Sequence, residues 1–258
     1  MVQATCEDVG ALVRGDDDAE AWLGHRRILQ RKIILHSPFF LHNSIVHTLY
    51  IDLASNKGSL ALVTEQEVLA IEHIDHRMGD QELLPRLEQL LGAGGPPAGR
   101  ASWAWGDIQR IACVVGPGGF MSLRVAVALA NTLADQLQIP IAGVHLSEVY
   151  KARTQNALWL HSTKKQELFV REFGDNAKIW PEATHVTLED LITTIRTWPA
   201  KPLFWVGELI PEHQKALAVS VAEIRESPLR RPEDVFPKFV KSLSYQKQIL
   251  EPWYGRGW

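Results

Sequence analysis

The stretch VVGPGGFMSLR, residues 114–124, constrains this chain more than any other. The apolar, β-branched run Ile111-Ala112-Cys113-Val114-Val115 leads into it and predicts a buried strand. Residues 120–138, free of Gly and Pro, leave it and predict a helix. A strand, a glycine turn and a helix in that order aim backbone N–H groups and the positive end of a helix dipole at one point. Gly116, Gly118 and Gly119 carry no Cβ, so they permit positive φ and a close approach of a ligand or a second chain segment. Pro117 fixes one φ and stiffens the turn. Gly116, Pro117, Gly118 and Gly119 are therefore a candidate phosphate or nucleotide site. The competing reading is a tight turn whose glycines serve packing alone. No Lys-Ser or Lys-Thr follows the glycines, so this is not a Walker loop, and the spacing is not GxGxxG.

The helix after the turn is unusually apolar. At one helical step per residue, Arg124, Asn131 and Asp135 share a narrow polar stripe, and Leu123, Ala126, Ala130, Leu133 and Leu137 lie to one side of it. Val125 and Leu129 widen the apolar arc to roughly twice the ~100° of an ordinary surface helix. Such a helix is either sandwiched inside its own domain or docks a second helix at close range. The small side chains of Ala126, Ala128 and Ala130 suit the second case.

At 258 residues the chain suits one large domain or two coupled lobes and can bury a core without disulfides. Its two cysteines, Cys6 and Cys113, exclude a disulfide framework and point to a reducing cytoplasm. A net charge of −3 supplies no global basic field for nucleic acid. No apolar run approaches the roughly 18 residues of a membrane helix. Glu7, Asp8, Asp16, Asp17 and Asp18 are wrong for a signal peptide.

Residues 1–46 lack strand alternation: an acidic patch is followed by Arg26, Arg27, Arg31 and Lys32, with a candidate helix over 19–34. Regular patterning begins at Thr48. Strands are predicted over 48–53, 59–63 and 68–74, the first two joined by the turn Ser55-Asn56-Lys57-Gly58. Residues 80–91 predict an amphipathic helix with Leu83, Leu84, Leu87, Leu90 and Leu91 on one stripe, interrupted by Pro85. Beyond the first turn, that proline would cost about 3 kcal/mol unless the helix kinks or starts late. A Gly- and Pro-rich connector over 92–99 follows, then Trp103 and Trp105. Further strands are predicted over 139–144, 157–161, 167–173 and 202–206. Ser147 is the expected cap of the helix after the first of these, and Thr187 with Asp190 opens a helix reaching Arg196. Residues 211–219 predict a short helix, and the Trp-rich tail 246–258 stands apart.

VVGPGGFMSLRVAVALANTLADQLQIPIAGVHLSEV resembles the core motif of the TsaB (YeaZ-like) family, whose usual form is near GPGSFTGLRIG followed by a small-residue helix and IPVVGVSSLEA. The resemblance spans residues 48–243 and is densest over 111–148. Gly119, Met121 and Ser122 stand where the family has Ser, Thr and Gly, which removes a hydroxyl from the turn. Residues 51–55 stand in the place of the family's IDTST, and Asp52 keeps its position. The resemblance implies a two-lobed α/β fold of the actin-like ATPase (ribonuclease H-like) class, shared with sugar kinases and heat-shock ATPases, with mixed sheets flanked by helices. It divides the chain into a first lobe over 47–150, a second over 151–245 and a tail over 246–258, preceded by the extension 1–46. Chains of the family begin just before their first strand, near Val46 here, and bacterial genes can start at a Val codon. Residues 1–45 are thus expected to be poorly packed or not part of the translated protein.

The same resemblance implies a non-catalytic dimerisation subunit of the complex that forms threonylcarbamoyl-adenosine in tRNA. Its partners would be a TsaD-like catalytic threonylcarbamoyltransferase subunit and a TsaE-like ATPase subunit, with tRNA reached only indirectly and no membrane involved. Pairing through the first lobe's helices puts Arg86, Leu90, Leu123, Arg124, Val127, Ala128 and Asn131 at the expected interface. Asp52 would sit near metal and phosphates in an active ATPase of this class, or simply cap its turn. No cofactor of its own is implied, though ATP or ADP could sit between subunits. His73 and His76 form an HxxH pair with no third ligand apparent, and there is no HExxH or GxSxG. The rival reading is an ATP-dependent phosphotransferase or peptidase-like enzyme of the same superfamily, supported by Gly116–Gly119 with Asp52. A self-dimer through the same helices is the third.

Overall fold

The computed structural model describes residues 45–74, 80–93, 95, 102–174, 177–198, 202–221 and 223–255. The expectations for residues 1–44, for His76 and for most of the connector lie outside them.

The first sheet is built from β1 (Thr48–Asp52), β2 (Gly58–Val63), β3 (Val68–Ile74), β4 (Arg110–Gly116) and β5 (Ile141–His145), in the order β3-β2-β1-β4-β5. The pairs β1–β2 and β2–β3 are antiparallel; β1–β4 and β4–β5 are parallel. Between them run α1 (Asp80–Ala93) and α2 (Phe120–Leu137), and α3 (Leu146–Arg153) leaves β5. The second sheet repeats the pattern with β6 (Leu158–Lys164), β7 (Glu167–Glu172), β8 (Thr184–Thr187), β9 (Leu203–Glu208) and β10 (Ile224–Glu226), ordered β8-β7-β6-β9-β10. Its helices are α4 (Leu188–Arg196), α5 (Pro211–Ser220) and α6 (Pro232–Ser242). The pairings repeat too: β6–β7 and β7–β8 are antiparallel, β6–β9 and β9–β10 parallel.

Strand alternation explains the layering. On one face of the first sheet Leu49, Ile51, Leu60 and Leu62 pack with Leu83, Leu87 and Leu90 of α1 and with Ala126, Ala130 and Leu133 of α2. On the other face Tyr50, Ala61, Val63 and Val114 meet Val149 of α3 and Phe236 and Val240 of α6. The same cluster contains Trp159, Phe169 and Val206 of the second sheet, so α3 and α6 lie between the sheets. The outer face of the second sheet carries Leu158, Leu160 and Leu168 against Leu191 and Ile195 of α4 and Leu217 of α5. The order is helices, sheet, helices, sheet, helices.

Several expectations are corrected. Pro85 does not break α1. It is the sixth residue, in the second turn, and the one bond forgone is that to the carbonyl of Gln81. Pro237 sits at the same depth in α6. The cap of α3 is His145, whose Nδ1 accepts from the Ser147 N–H at 3.2 Å, rather than Ser147 itself. Ser147 instead bonds that ring nitrogen at 2.7 Å and receives Arg171. Thr187 caps α4 as expected, accepting from the Asp190 N–H at 3.1 Å. Strands β8 and β10, four and three residues long, have no counterpart in the sequence-based expectation.

The wide apolar arc of α2 is spent mainly inside its own lobe. Leu123, Ala126, Val127, Ala130, Leu133 and Ala134 are buried. Asn131 on the polar stripe is tied down as well. Its amide donates to the Leu250 carbonyl and its carbonyl accepts the Leu250 N–H, both at 2.9 Å. That pair begins a strap formed by the tail. Ile141 bridges to Gln246, the Trp253 N–H donates to the Val115 carbonyl at 2.7 Å, and the Trp253 ring stands 4.5 Å from His145 and 5.2 Å from Phe169. Val115 belongs to the first sheet and Phe169 to the second, so the strap joins the lobes. Trp103 and Trp105 pack on the first-lobe core.

Candidate functional site

Parallel α/β sheets bind ligands outside the carboxyl ends of their strands, where the chain leaves in opposite directions from neighbouring strands. Here that point occurs twice, between β1 and β4 and between β6 and β9, and the two ends face each other. The segments that follow β1 (53–56) and β4 (118–119 and 122), the carboxyl half of β6 (161–163) and the end of β9 with the residues after it (208–211) line one cleft of about 480 Å³.

The expected phosphate residues divide within it. Gly118 and Gly119 line the cleft; Gly116, Pro117 and Asp52 do not. Gly116 has φ +135°, and a Cβ there would stand 2.1 Å from the Trp253 carbonyl oxygen, so this glycine admits the strap. A Cβ on Gly118 would stand 2.3 Å from the Ala54 carbonyl oxygen, which presses the turn onto the end of β1. Gly119 has open space, its nearest neighbour being Ser122 Oγ at 3.5 Å from the same test position. Asp52 is 4% exposed and caps its own turn: Oδ1 accepts the N–H of Ala54 at 2.9 Å and of Ser55 at 3.3 Å, and Oδ2 the Ser55 hydroxyl at 3.3 Å. Burial pushes its carboxyl up to about 6 against these bonds.

The far wall carries groups with no motif in the sequence. Glu208 bridges the lobes: Oε1 accepts the Asn56 N–H at 2.9 Å, Oε2 the Asn56 amide at 3.0 Å, and the Tyr150 hydroxyl reaches Oε1 at 3.4 Å. Burial pushes this carboxyl up to about 7. Ser162 Oγ accepts the Ile210 N–H at 3.0 Å and donates to His213 Nδ1 at 2.8 Å. His213 is fully buried, and its Nε2 meets the Lys165 carbonyl at 2.9 Å. A carbonyl can only accept, so Nε2 holds the proton and Nδ1 is the acceptor. The pair resembles an activated serine, but a buried imidazolium there would have no carboxylate beside it, and the arrangement serves instead to fasten β6 to α5. His161 is stacked on Trp159 with ring centres 5.7 Å apart. Its Nδ1 has no hydrogen-bond partner, and burial pushes its pKa down to about 4.

Among the described residues no Lys or Arg lines the cleft. Among the described residues a polyphosphate would meet the Glu208 carboxylate and no opposing cation, and Gly116 at the strand end is already covered by Trp253. These residues do not fit a nucleotide phosphate chain. No group of three or more potential metal ligands occurs among the described residues, and His73 lies exposed on β3.

The expected interface residues also divide. Leu90, Leu123 and Val127 are buried in the first-lobe core and cannot line a partner face. Arg86 is paired with Glu72, and Asn131 is held by the strap. Arg124 and Ala128 are exposed. Beside them stand Phe120 and Met121, 48% and 65% exposed, which the sequence reading did not single out.

Two five-stranded mixed sheets of repeated order, with helices on every face, define the actin-like (ribonuclease H-like) ATPase fold. Residues 97–192 match the family model of TsaD, tRNA N6-adenosine threonylcarbamoyltransferase. Among solved structures, YeaZ from Pseudomonas aeruginosa is similar with TM-score 0.56 and 18% identity, covering 81% of this chain and 100% of that one. A second, titled an uncharacterized protein with similarity to peptidase YEAZ from Pseudomonas aeruginosa, gives TM-score 0.59 and 20% identity, covering 82% of this chain and 100% of that one. The chain is thus YeaZ-like (TsaB-like) in fold, and its match to the TsaD model runs from residue 97 into α4. No curated protein matches it. Among the described residues no helix is long and apolar enough to cross a membrane.

Proposed function

We propose that the chain is a non-catalytic scaffold and activator subunit of a cytoplasmic tRNA-modifying assembly. It pairs with a TsaD-like catalytic threonylcarbamoyltransferase, works alongside a TsaE-like ATPase subunit, and meets tRNA only through the assembly. The observation that carries this reading is the YeaZ-like fold over four fifths of the chain. Its cleft supports it, because a wall bearing Glu208 and, among the described residues, no cation suits phosphoryl chemistry poorly. Any ATP or ADP would then belong between subunits and not in this cleft. Pairing runs through the outer side of α2, where Phe120, Met121, Arg124 and Ala128 are exposed in one stretch. Arg124 lies 5.2 Å over the Phe120 ring, poised to meet a carboxylate or a helix C-terminus on the partner.

The test is reconstitution. The purified chain and a TsaD-type subunit are expected to co-elute, and threonylcarbamoyl-adenosine is expected to form in tRNA only when both are present with the ATPase subunit. Robust ATP hydrolysis by the isolated chain would overturn the non-catalytic reading.

A further inference from the structure

The tail is anchored on one lobe and caught on the other. On the first lobe Gln246 exchanges backbone bonds with Ile141 at 2.9 and 3.1 Å, and the Asn131 side chain holds the Leu250 backbone. The Leu250 side chain is buried in the first-lobe core. The bond from the Trp253 N–H to the Val115 carbonyl completes this set. On the second lobe the tail meets the ring of Phe169 in β7. The Trp253 ring centre lies 5.2 Å from it, and Gly255 rests directly against it. Gly255 has φ +76°, and a Cβ there would overlap the ring, so the catch requires glycine.

The layer beneath the strap does not hold itself shut by polar contacts. A row of rings runs from Trp253 to His145 at 4.5 Å between centres, on to Trp159 of β6 at 5.7 Å, and on to His161 at 5.7 Å. The row crosses from the first lobe to the second. His145 Nε2, Trp159 Nε1 and His161 Nδ1 are buried in it without a hydrogen-bond partner among the described residues. Buried polar groups left unpaired disfavour the closed arrangement, because water in a parted joint would serve all three. The Asn56–Glu208 bonds also tie the lobes, but they lie at an exposed edge where water competes. The tail is the segment that spans the joint at the ring row itself.

We propose that the tail is a latch on lobe opening: with Trp253 and Gly255 seated on Phe169 the lobes stay at this separation, and when the tail lifts the second lobe swings away from the first. Leu250 is the fixed end of the latch and Phe169 its catch. The catch is placed to release first, since it is an aromatic contact near the end of the chain, where local opening is least costly. The latch acts within one chain and stands or falls separately from subunit pairing.

Two variants lift the catch and spare the anchor: removal of residues 253–258, and Gly255→Ala in the full chain. Two readouts follow the joint. Spin labels on Ala128→Cys and Val219→Cys, one exposed site on each lobe, report lobe separation by pulsed electron resonance. Cys6→Ser removes the other accessible thiol, and Cys113 is buried. The Trp159 indole N–H, identified in NMR spectra by its loss in Trp159→Phe, reports water entry through its exchange rate, because burial alone protects it. Both variants are expected to shift or broaden the label distance by several ångströms and to speed indole exchange about tenfold or more. Faster exchange at an unchanged label distance would make the tail a cover and overturn the latch. Unchanged exchange in the folded truncated chain would overturn it too. Should that chain fail to fold, the same two outcomes in Gly255→Ala decide.

Discussion

The two lobes share one strand order but solve the same corner differently. In each, a glycine with positive φ ends the strand next to the lobe's first strand: Gly116 on β4 at +135° and Gly207 on β9 at +124°. Beyond it the first lobe continues with more glycine, because the Ala54 backbone leaves no room at Gly118. The second lobe places Glu208 there and sends its carboxylate across to Asn56. The helices differ as well: α2 runs 18 residues from an open N-terminus, whereas α5 runs 10 and starts with Pro211. One topology thus yields a receptive wall on one side of the cleft and a reaching one on the other. A repeated fold fixes where a site lies; the residues after the strand ends decide its chemistry.

The glycine pair allows the largest break in this comparison. A Cβ on either meets a carbonyl oxygen at 2.1 Å, but Gly116 meets Trp253 of the strap and Gly207 meets Leu160 of β6. Alanine at either position is expected to cost roughly 2–4 kcal/mol from overpacking and positive φ together. Removal of residues 253–258 should itself cost about 2–3 kcal/mol, through the lost Trp253 packing and its bond to Val115. In the truncated chain Gly116→Ala should lose a clear part of its penalty while Gly207→Ala keeps all of its own. Urea melts of the double-mutant cycle measure this. Equal penalties in both backgrounds would show that the strap does not rest on Gly116.

Much of that corner was legible beforehand and some was not. The strand, glycine turn and helix over 111–138 were readable because their signals are local: a β-branched run, absent Cβ atoms, an unbroken helical stretch. Asp52 as a turn cap was one of two readings, and its bonds to Ala54 and Ser55 are those of a cap. The cleft's far wall was not readable. Asn56 and Glu208 are 152 positions apart, and nothing local to Glu208, His161 or Ser162 marks them. Strands β8 and β10 were too short for a period to register, and His145 is not among the residues expected at a helix cap. The Trp253 strap was missed because a tail's docking place is set only by tertiary packing. Of the two readings open for the wide apolar arc of α2, packing within the lobe accounts for most of it.

An intermediate effect comes from the two carboxylates near the strand ends. Burial raises Asp52 to about 6 and Glu208 to about 7. A raised folded pKa means that the folded state holds the proton more tightly, so each contribution is fully present below its unfolded value and is lost as pH rises. For Glu208 the window runs from about 4.5 to about 7, and for Asp52 from about 3.8 to about 6. His145 and His161, pushed down to about 4 by burial, act in the opposite sense as pH falls below their ordinary value of 6.5. The readout is therefore the difference between variant and wild type. Glu208→Gln should gain on the wild type by about 1–2 kcal/mol between pH 5 and 7. Asp52→Asn should gain mainly below pH 6. A flat difference for Glu208→Gln would mean that its hydrogen bonds offset its burial fully.

The smallest expected change in stability carries the sharpest functional contrast. Ala128 on α2 and Val219 on α5 are both exposed, the latter 81%. Glutamate at either site should leave the melting of the free chain within about 0.5 kcal/mol of wild type, as surface substitutions usually do. The two helices occupy equivalent places in the repeated fold, so they serve as each other's control. If subunit pairing runs through the first lobe, Ala128→Glu buries an unpaired charge in the complex and abolishes co-elution with the TsaD-type subunit. Val219→Glu should co-elute normally. The reverse pattern would move the interface to the second lobe, and loss of neither would place it away from both helices. Loss of folding by Ala128→Glu would instead mean that Ala128 belongs to the first-lobe core, contrary to its exposure in the structure.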